Sequence, residues 1–168
     1  MAAGTHLRFW RHVVTDHAAV RRAFPPAALE RIEAATAAGE RTHRGQVCVA
    51  IEEALPAARV MRRLSPRERA LEVFGLLRVW DTEENCGVLV YLLLADRDVE
   101  IVADRGIHRA VGDEAWQAIC QRMEAAFRAG NYVDGVVQGV DELSAVLARH
   151  FPRTGGGRNE LSDAPVIL

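Results

Sequence analysis

Acidic residues cluster on both sides of Val88 to Leu94, the most hydrophobic segment of the chain. Asp81, Glu83, Glu84 and Asn85 precede it, and Asp96 and Asp98 follow it. Oxygen-rich loops of this kind suit a hard divalent cation such as Ca²⁺ or Mg²⁺, which takes carboxylate and carbonyl ligands. The spacing constrains the idea. A seven-residue strand is about 23 Å long, so the two groups fall at opposite ends of the sheet unless the loops fold back. The Asp-x-Asp-x-Asp-Gly pattern of an EF-hand does not occur, and a solvated loop capping the strand ends is the plainer account of the same residues.

Nucleophilic chemistry finds little support. The serines are Ser65, Ser144 and Ser162, the first reading as a helix cap and the second as a helix residue, and there is no G-x-S-x-G elbow. Cys86 sits among acids, which raises a thiol's pKa instead of activating it, and Cys48 and Cys120 lie in apolar patterns as small buried hydrophobes. The histidines (His6, His12, His17, His43, His108, His150) show neither H-x-x-x-H nor H-E-x-x-H spacing, so zinc has no motif. His17 reads as packed beside the apolar stripe of the first helix, and His108 as a surface residue.

All 21 basic residues are arginine. With no lysine, Schiff-base chemistry and the Walker A phosphate cradle are excluded. Residues 1–69 carry 12 arginines against 7 acids and residues 70–168 carry 9 against 16, so a net charge of −2 conceals a basic half and an acidic half. The densest basic cluster is Arg59, Arg62, Arg63, Arg67 and Arg69. No aromatic residues interleave with it, so it reads as a solvated face and not as a nucleic-acid surface.

The elements that must position these residues follow from periodicity. Residues 5–23 read as one helix with Trp10, Val13, Val20 and Phe24 along a stripe, stopped by Pro25-Pro26. A second helix spans 27–41. Gln46 to Ile51 is a continuous apolar run with β-branched residues, a strand covered on both faces. Ser65-Pro66 opens a helix reaching about Trp80 and burying Leu71, Phe74 and Leu77. Val88–Leu94 is the central strand, and Val99–Ala103 returns beside it after a tight connection. The first two strands are expected to be parallel through a right-handed crossover, and the third antiparallel to the second. Two amphipathic helices close the domain, with Trp116, Ile119, Met123 and Phe127 on one and Val133, Val136, Val140, Leu143 and Leu147 on the other. The sum is a three-layer α/β/α sandwich around a small mixed sheet, with extra N-terminal helices. Residues 1–44 are expected as N-terminal helices packed on the domain, 45–152 as the α/β domain, and 153–168 as a flexible tail ending in the apolar Pro165–Leu168. No run reaches the roughly 20 apolar residues that span a bilayer, and no signal-peptide pattern opens the chain, so a cytoplasmic location is expected.

From Gly45 to about Phe151 the chain resembles the TPM-domain family. The residues that carry the resemblance are Gly87–Ile101 (GVLVYLLLADRDVEI), Asp104–Ile107 (DRGI), Met123–Tyr132 (MEAAFRAGNY) and Gly135–Val140 (GVVQGV). The resemblance implies an α/β/α fold, divalent-cation binding through acidic loops near the strand ends, and in some members an acid phosphatase activity. It also implies association with membrane proteins of the LemA type. The loop carboxylates that match the family pattern are Asp81 and Asp96, with Glu84 and Asn85 beside them as further candidate metal ligands. Gln46 stands where the family has glutamate opening the first strand, and Cys86 where it has asparagine, so each loses an oxygen ligand or a charge.

Three functions follow as expectations. The first is a cation-binding accessory module whose basic half docks on a membrane-associated protein. The second is a metal-assisted phosphomonoesterase in which Asp81 and Asp96 hold the ion and Arg97 or Arg105 steadies the phosphate. The third is a homo-oligomer formed when the apolar tail adds to a neighbouring copy's sheet edge.

Overall fold

The computed structural model describes residues 2–155 and 158–168, with side chains described from residue 6 onward. In chain order the elements are α1 (Ala2–Val14), α2 (His17–Ala23), α3 (Pro26–Glu40), β1 (Gln46–Glu52), α4 (Ala57–Met61), α5 (Pro66–Leu76), β2 (Gly87–Leu93), β3 (Asp98–Ala103), α6 (Arg105–Val111), α7 (Asp113–Arg128), α8 (Tyr132–His150) and β4 (Val166–Ile167). The sheet order is β3-β2-β1-β4. β1 and β2 are parallel, β3 is antiparallel to β2, and β4 is parallel to β1.

Two-residue periodicity divides the core. Val47, Val49 and Ile51 of β1 face the same side as Val88, Val90 and Leu92 of β2, where α2, α3, α6, α7 and α8 cover them. Cys48, Ala50, Leu89, Tyr91 and Leu93 face the other side, under α4, α5, Phe9 of α1 and the tail residues Leu161, Val166 and Leu168. Both faces of β1 and β2 are buried, which is why these strands read as unbroken apolar runs. This is the three-layer sandwich around a mixed sheet that periodicity predicts. Gly87 opens β2 under close constraint, because a Cβ there would lie 1.8 Å from the Val79 carbonyl oxygen.

The N-terminal helix departs from expectation. It breaks at Thr15–Asp16, where the Asp16 side chain accepts a hydrogen bond from the Ala19 N–H at 2.9 Å and starts α2. Residues on either side of the break therefore do not share a stripe: Val20 and Phe24 are buried, whereas Trp10 and Val13 are exposed. His17 is also exposed and pairs with Glu53 at 2.6 Å, so it is not a packed residue. Leu71 faces solvent too, since α5 ends at Leu76 and covers the sheet through Ala70 and Val73.

The tail is the second departure. Positions 156 and 157 of the expected flexible stretch lie outside the described residues, but 158–168 are fastened to their own sheet. Val166 and Ile167 pair with Ala50 and Ile51, and the Leu168 N–H donates to the Ile51 carbonyl at 3.0 Å. The exposed edge of β1 offers unpaired backbone groups, and the nearest strand-forming segment able to take them belongs to the same chain. Among the described residues no helix is long and apolar enough to cross a membrane.

Candidate functional site

Asp96 lies in the turn between β2 and β3, with a side chain only 7% exposed. Its carboxylate is enclosed by three donors from one helix. Arg8 Nε donates to Oδ2 at 2.9 Å, Arg11 Nη2 to Oδ1 at 3.2 Å, and His12 Nε2 lies 3.2 Å from Oδ2. The Leu55 N–H donates to His12 Nδ1 at 2.9 Å, so that nitrogen carries no proton and the hydrogen sits on Nε2, directed at Asp96. Arg8 also reaches the Leu64 carbonyl at 3.0 Å, tying α1 to the start of α5. Burial pushes the Asp96 carboxyl up, but the His12 and Arg8 hydrogen bonds and charges outweigh it and hold the group below the usual carboxylate range. The neighbouring Asp98 differs: burial pushes it up to about 7, with Glu100, Glu124 and Asp96 adding to the rise.

The acidic loop sits at the opposite end of β2. Asp81 is exposed and pairs with Arg78 at 2.5 Å, and Glu84 pairs with Arg44 at 2.8 Å. Asn85 adopts φ +52, and its carbonyl lies against Gly106 of α6. Arg105 begins α6, where Asp104 Oδ1 accepts its backbone N–H at 2.6 Å. Asp81, Glu84, Asn85 and Arg105 therefore belong to one end of the sheet, and Asp96 and Arg97 to the other. Residues of a single seven-residue strand, β2, separate the two groups, and the loops do not fold back.

Two residues whose roles were not legible in the sequence shape the acidic end. Gln46 Oε1 accepts from the backbone N–H groups of Glu160 at 2.5 Å and Leu161 at 3.2 Å, so this residue anchors the tail. Glu160 in turn accepts from the Glu83 N–H at 3.0 Å. Cys86 is buried, its Sγ donating to the Arg44 carbonyl at 3.2 Å, and burial raises its thiol pKa. It is not an activated nucleophile. At the far end of β1 a buried network joins Tyr91, whose hydroxyl donates to Glu52 at 2.5 Å, to Arg69, which grips the same carboxylate at 2.8 and 2.9 Å.

The family model described as the TPM domain matches residues 14–146. The chain belongs to the TPM-domain family. Among solved structures it is similar to the NMR structure of the BA42 protein from the psychrophilic bacterium Bizionia argentinensis, with 25% sequence identity, a TM-score of 0.75, and coverage of 84% of this chain and 93% of that one. None of the curated proteins compared matches the chain. The matched span of this TPM domain starts at residue 14, so nearly all of α1, including the three residues that grip Asp96, precedes it.

The family resemblance implies a divalent cation, which takes open carboxylate and carbonyl ligands. A cation at Asp96 would meet two guanidinium groups and an imidazole already occupying the carboxylate. At the other end Asp81 and Glu84 each have an arginine partner. Among the described residues no three His, Cys, Asp or Glu side chains gather as a metal-binding group. At Asp81, Glu84 and Asp96 arginine already supplies the counter-charge that an ion would bring.

Proposed function

We propose that this TPM domain is a cytoplasmic accessory module that docks on a membrane-associated protein through α1, and that it binds without catalysing. The observation that carries the reading is the orientation of α1. Its inward side is held by Arg8, Arg11 and His12 on Asp96, while Leu7, Trp10 and Val14, spaced i, i+3 and i+7, are 66%, 60% and 71% exposed. An apolar helical stripe of this spacing is how a helix meets a partner's groove, and tryptophan is the residue type that most often dominates such contacts. The LemA type of membrane protein is the partner class that the family resemblance implies.

The phosphomonoesterase reading has less support, because Asp81 and Asp96 would have to act on one phosphate from opposite ends of β2. A divalent cation enters the proposal only as a competitor of α1 for Asp96. The test is calorimetric binding of a LemA-type protein to the wild type and to Trp10→Ser, beside thermal melts of chelated protein with Ca²⁺, Mg²⁺ and Mn²⁺. Trp10→Ser should weaken partner binding at least tenfold while leaving the melt unchanged. Undiminished binding by Trp10→Ser, or phosphoester turnover abolished in Asp81→Asn and Asp96→Asn, would refute the module.

A further inference from the structure

Beyond the C-terminal ends of β1 and β2, α1, α2, α3, the β2–β3 turn and the start of α8 enclose a cleft of about 750 Å³. Four arginines from four different elements line it: Arg11 of α1, Arg22 of α2, Arg31 of α3 and Arg97 of the turn. The one carboxylate on its wall, Asp134, is engaged by Arg31 at 2.8 Å. Arg11 shares Asp96 with Arg8 and His12. Arg22 and Arg97 have no carboxylate partner among the described residues. Two of the four cleft arginines are thus engaged by carboxylates and two are not.

One further observation points to an anion. The 19-residue helix α8 begins at the cleft wall with Asn131 and Tyr132, and no side-chain hydrogen bond caps its first turn. Its first N–H groups and the positive end of its dipole are therefore available to a ligand there. Arg97 holds φ +53, a backbone region that glycine or asparagine fills more easily, and this turn brings its side chain to the cleft.

We propose that this cleft binds a phosphate group, of the phosphomonoester or pyrophosphate class, gripped by Arg22 and Arg97, with Arg31 and the first turn of α8 completing its shell. Planar guanidinium forks match phosphate oxygens in pairs. The site recognises and does not hydrolyse. Thr15, the only hydroxyl-bearing aliphatic side chain on the wall, donates to the Arg11 carbonyl at 2.8 Å, and Asp134 is held by Arg31. The inference is independent of partner docking through α1.

The experiment is isothermal titration of the full chain with sodium pyrophosphate at low ionic strength, repeated with Arg22→Gln, Arg97→Asn and the remote control Arg109→Gln. Arg97→Asn suits the positive φ, and circular dichroism melts establish that every variant is folded. Each cleft variant should weaken binding about tenfold or more, and Arg109→Gln should leave it unchanged. Cosedimentation with phosphatidylcholine vesicles containing phosphatidic acid identifies the source of the phosphate. Sedimentation that needs Arg22 and Arg97 assigns it to a lipid headgroup; pyrophosphate binding without sedimentation assigns it to a soluble ligand. Absence of both, or equal weakening by Arg109→Gln, overturns the proposal.

Discussion

Glu40→Gln should raise stability by under about 1 kcal/mol at pH 5 and by about 3 kcal/mol at pH 8. Glu40 ends α3 and is buried; its Oε1 accepts the Val47 N–H at 2.6 Å, and its carboxyl also hydrogen-bonds Asp163 of the tail. Burial pushes its pKa from 4.5 up to about 7; the Val47 N–H opposes the rise and the charge of Asp163 adds to it. The folded chain thus keeps a proton that the unfolded chain releases. Stability from this group is fully present below about pH 4.5 and is lost as pH rises through about 7. At about 1.4 kcal/mol for each tenfold change in proton affinity, the loss approaches 3 kcal/mol. His43 acts in the opposite direction. Its burial lowers the imidazole from 6.5 to about 4, against the pull of the Gly45 carbonyl, so its contribution is present above 6.5 and is lost as pH falls toward 4. Between those limits the His43 slope offsets one of the two falling slopes, those of Glu40 and of Asp98, which is also pushed up to about 7, so the wild type should lose stability as pH rises. Glutamine keeps a carbonyl for Val47 and a donor for Asp163 but never ionises. Thermal melts by circular dichroism at pH 5 and pH 8 should differ between the chains by about 6–12 °C at the higher pH only. The variant should be nearly flat from about pH 4.5 to 6.5, where the Asp98 and His43 slopes offset each other. An equal difference at both pH values would show that Glu40 is ionised throughout, and the reasoning would fail.

Two other substitutions test the supports of the sheet. Gln46→Ala orphans the N–H groups of Glu160 and Leu161 and should cost about 1–2 kcal/mol, read as faster limited proteolysis between residues 153 and 160 while hydrogen exchange in β1 and β2 stays slow. Gly87→Ala drives a methyl into the Val79 carbonyl and should lower the urea midpoint by the equivalent of about 3 kcal/mol; a change under about 0.5 kcal/mol would mean the loop before β2 yields freely.

Much of the fold was legible in the sequence because its signals are local. Unbroken β-branched runs mark β1 and β2 as strands buried on both faces, the Ser65-Pro66-Arg67-Glu68 cap opens α5, and 3.6-residue periodicity marks α7 and α8. The separation of Asp81 from Asp96 was legible too, since strand length alone keeps them apart. The short elements were not. α4, α6 and β4 have too few residues for a period to emerge, and Asp16 splits the first helix through a single side-chain cap. Periodicity across that break joined Trp10 to Val20, two residues that face different surroundings.

The partner of each charge was decided by tertiary structure alone. Carboxylates near strand ends have the same sequence whether they face a cation, water or arginine. Here Asp96 faces Arg8, Arg11 and His12, which precede it by more than 80 residues. Gln46 and the tail meet across more than 110 residues, and only that contact makes Gln46 an anchor. The four arginines of the cleft come from four elements that no sequence window contains. Local sequence specifies backbone conformation through short-range sterics and periodic burial, whereas electrostatic partners are set by which distant elements the core brings together.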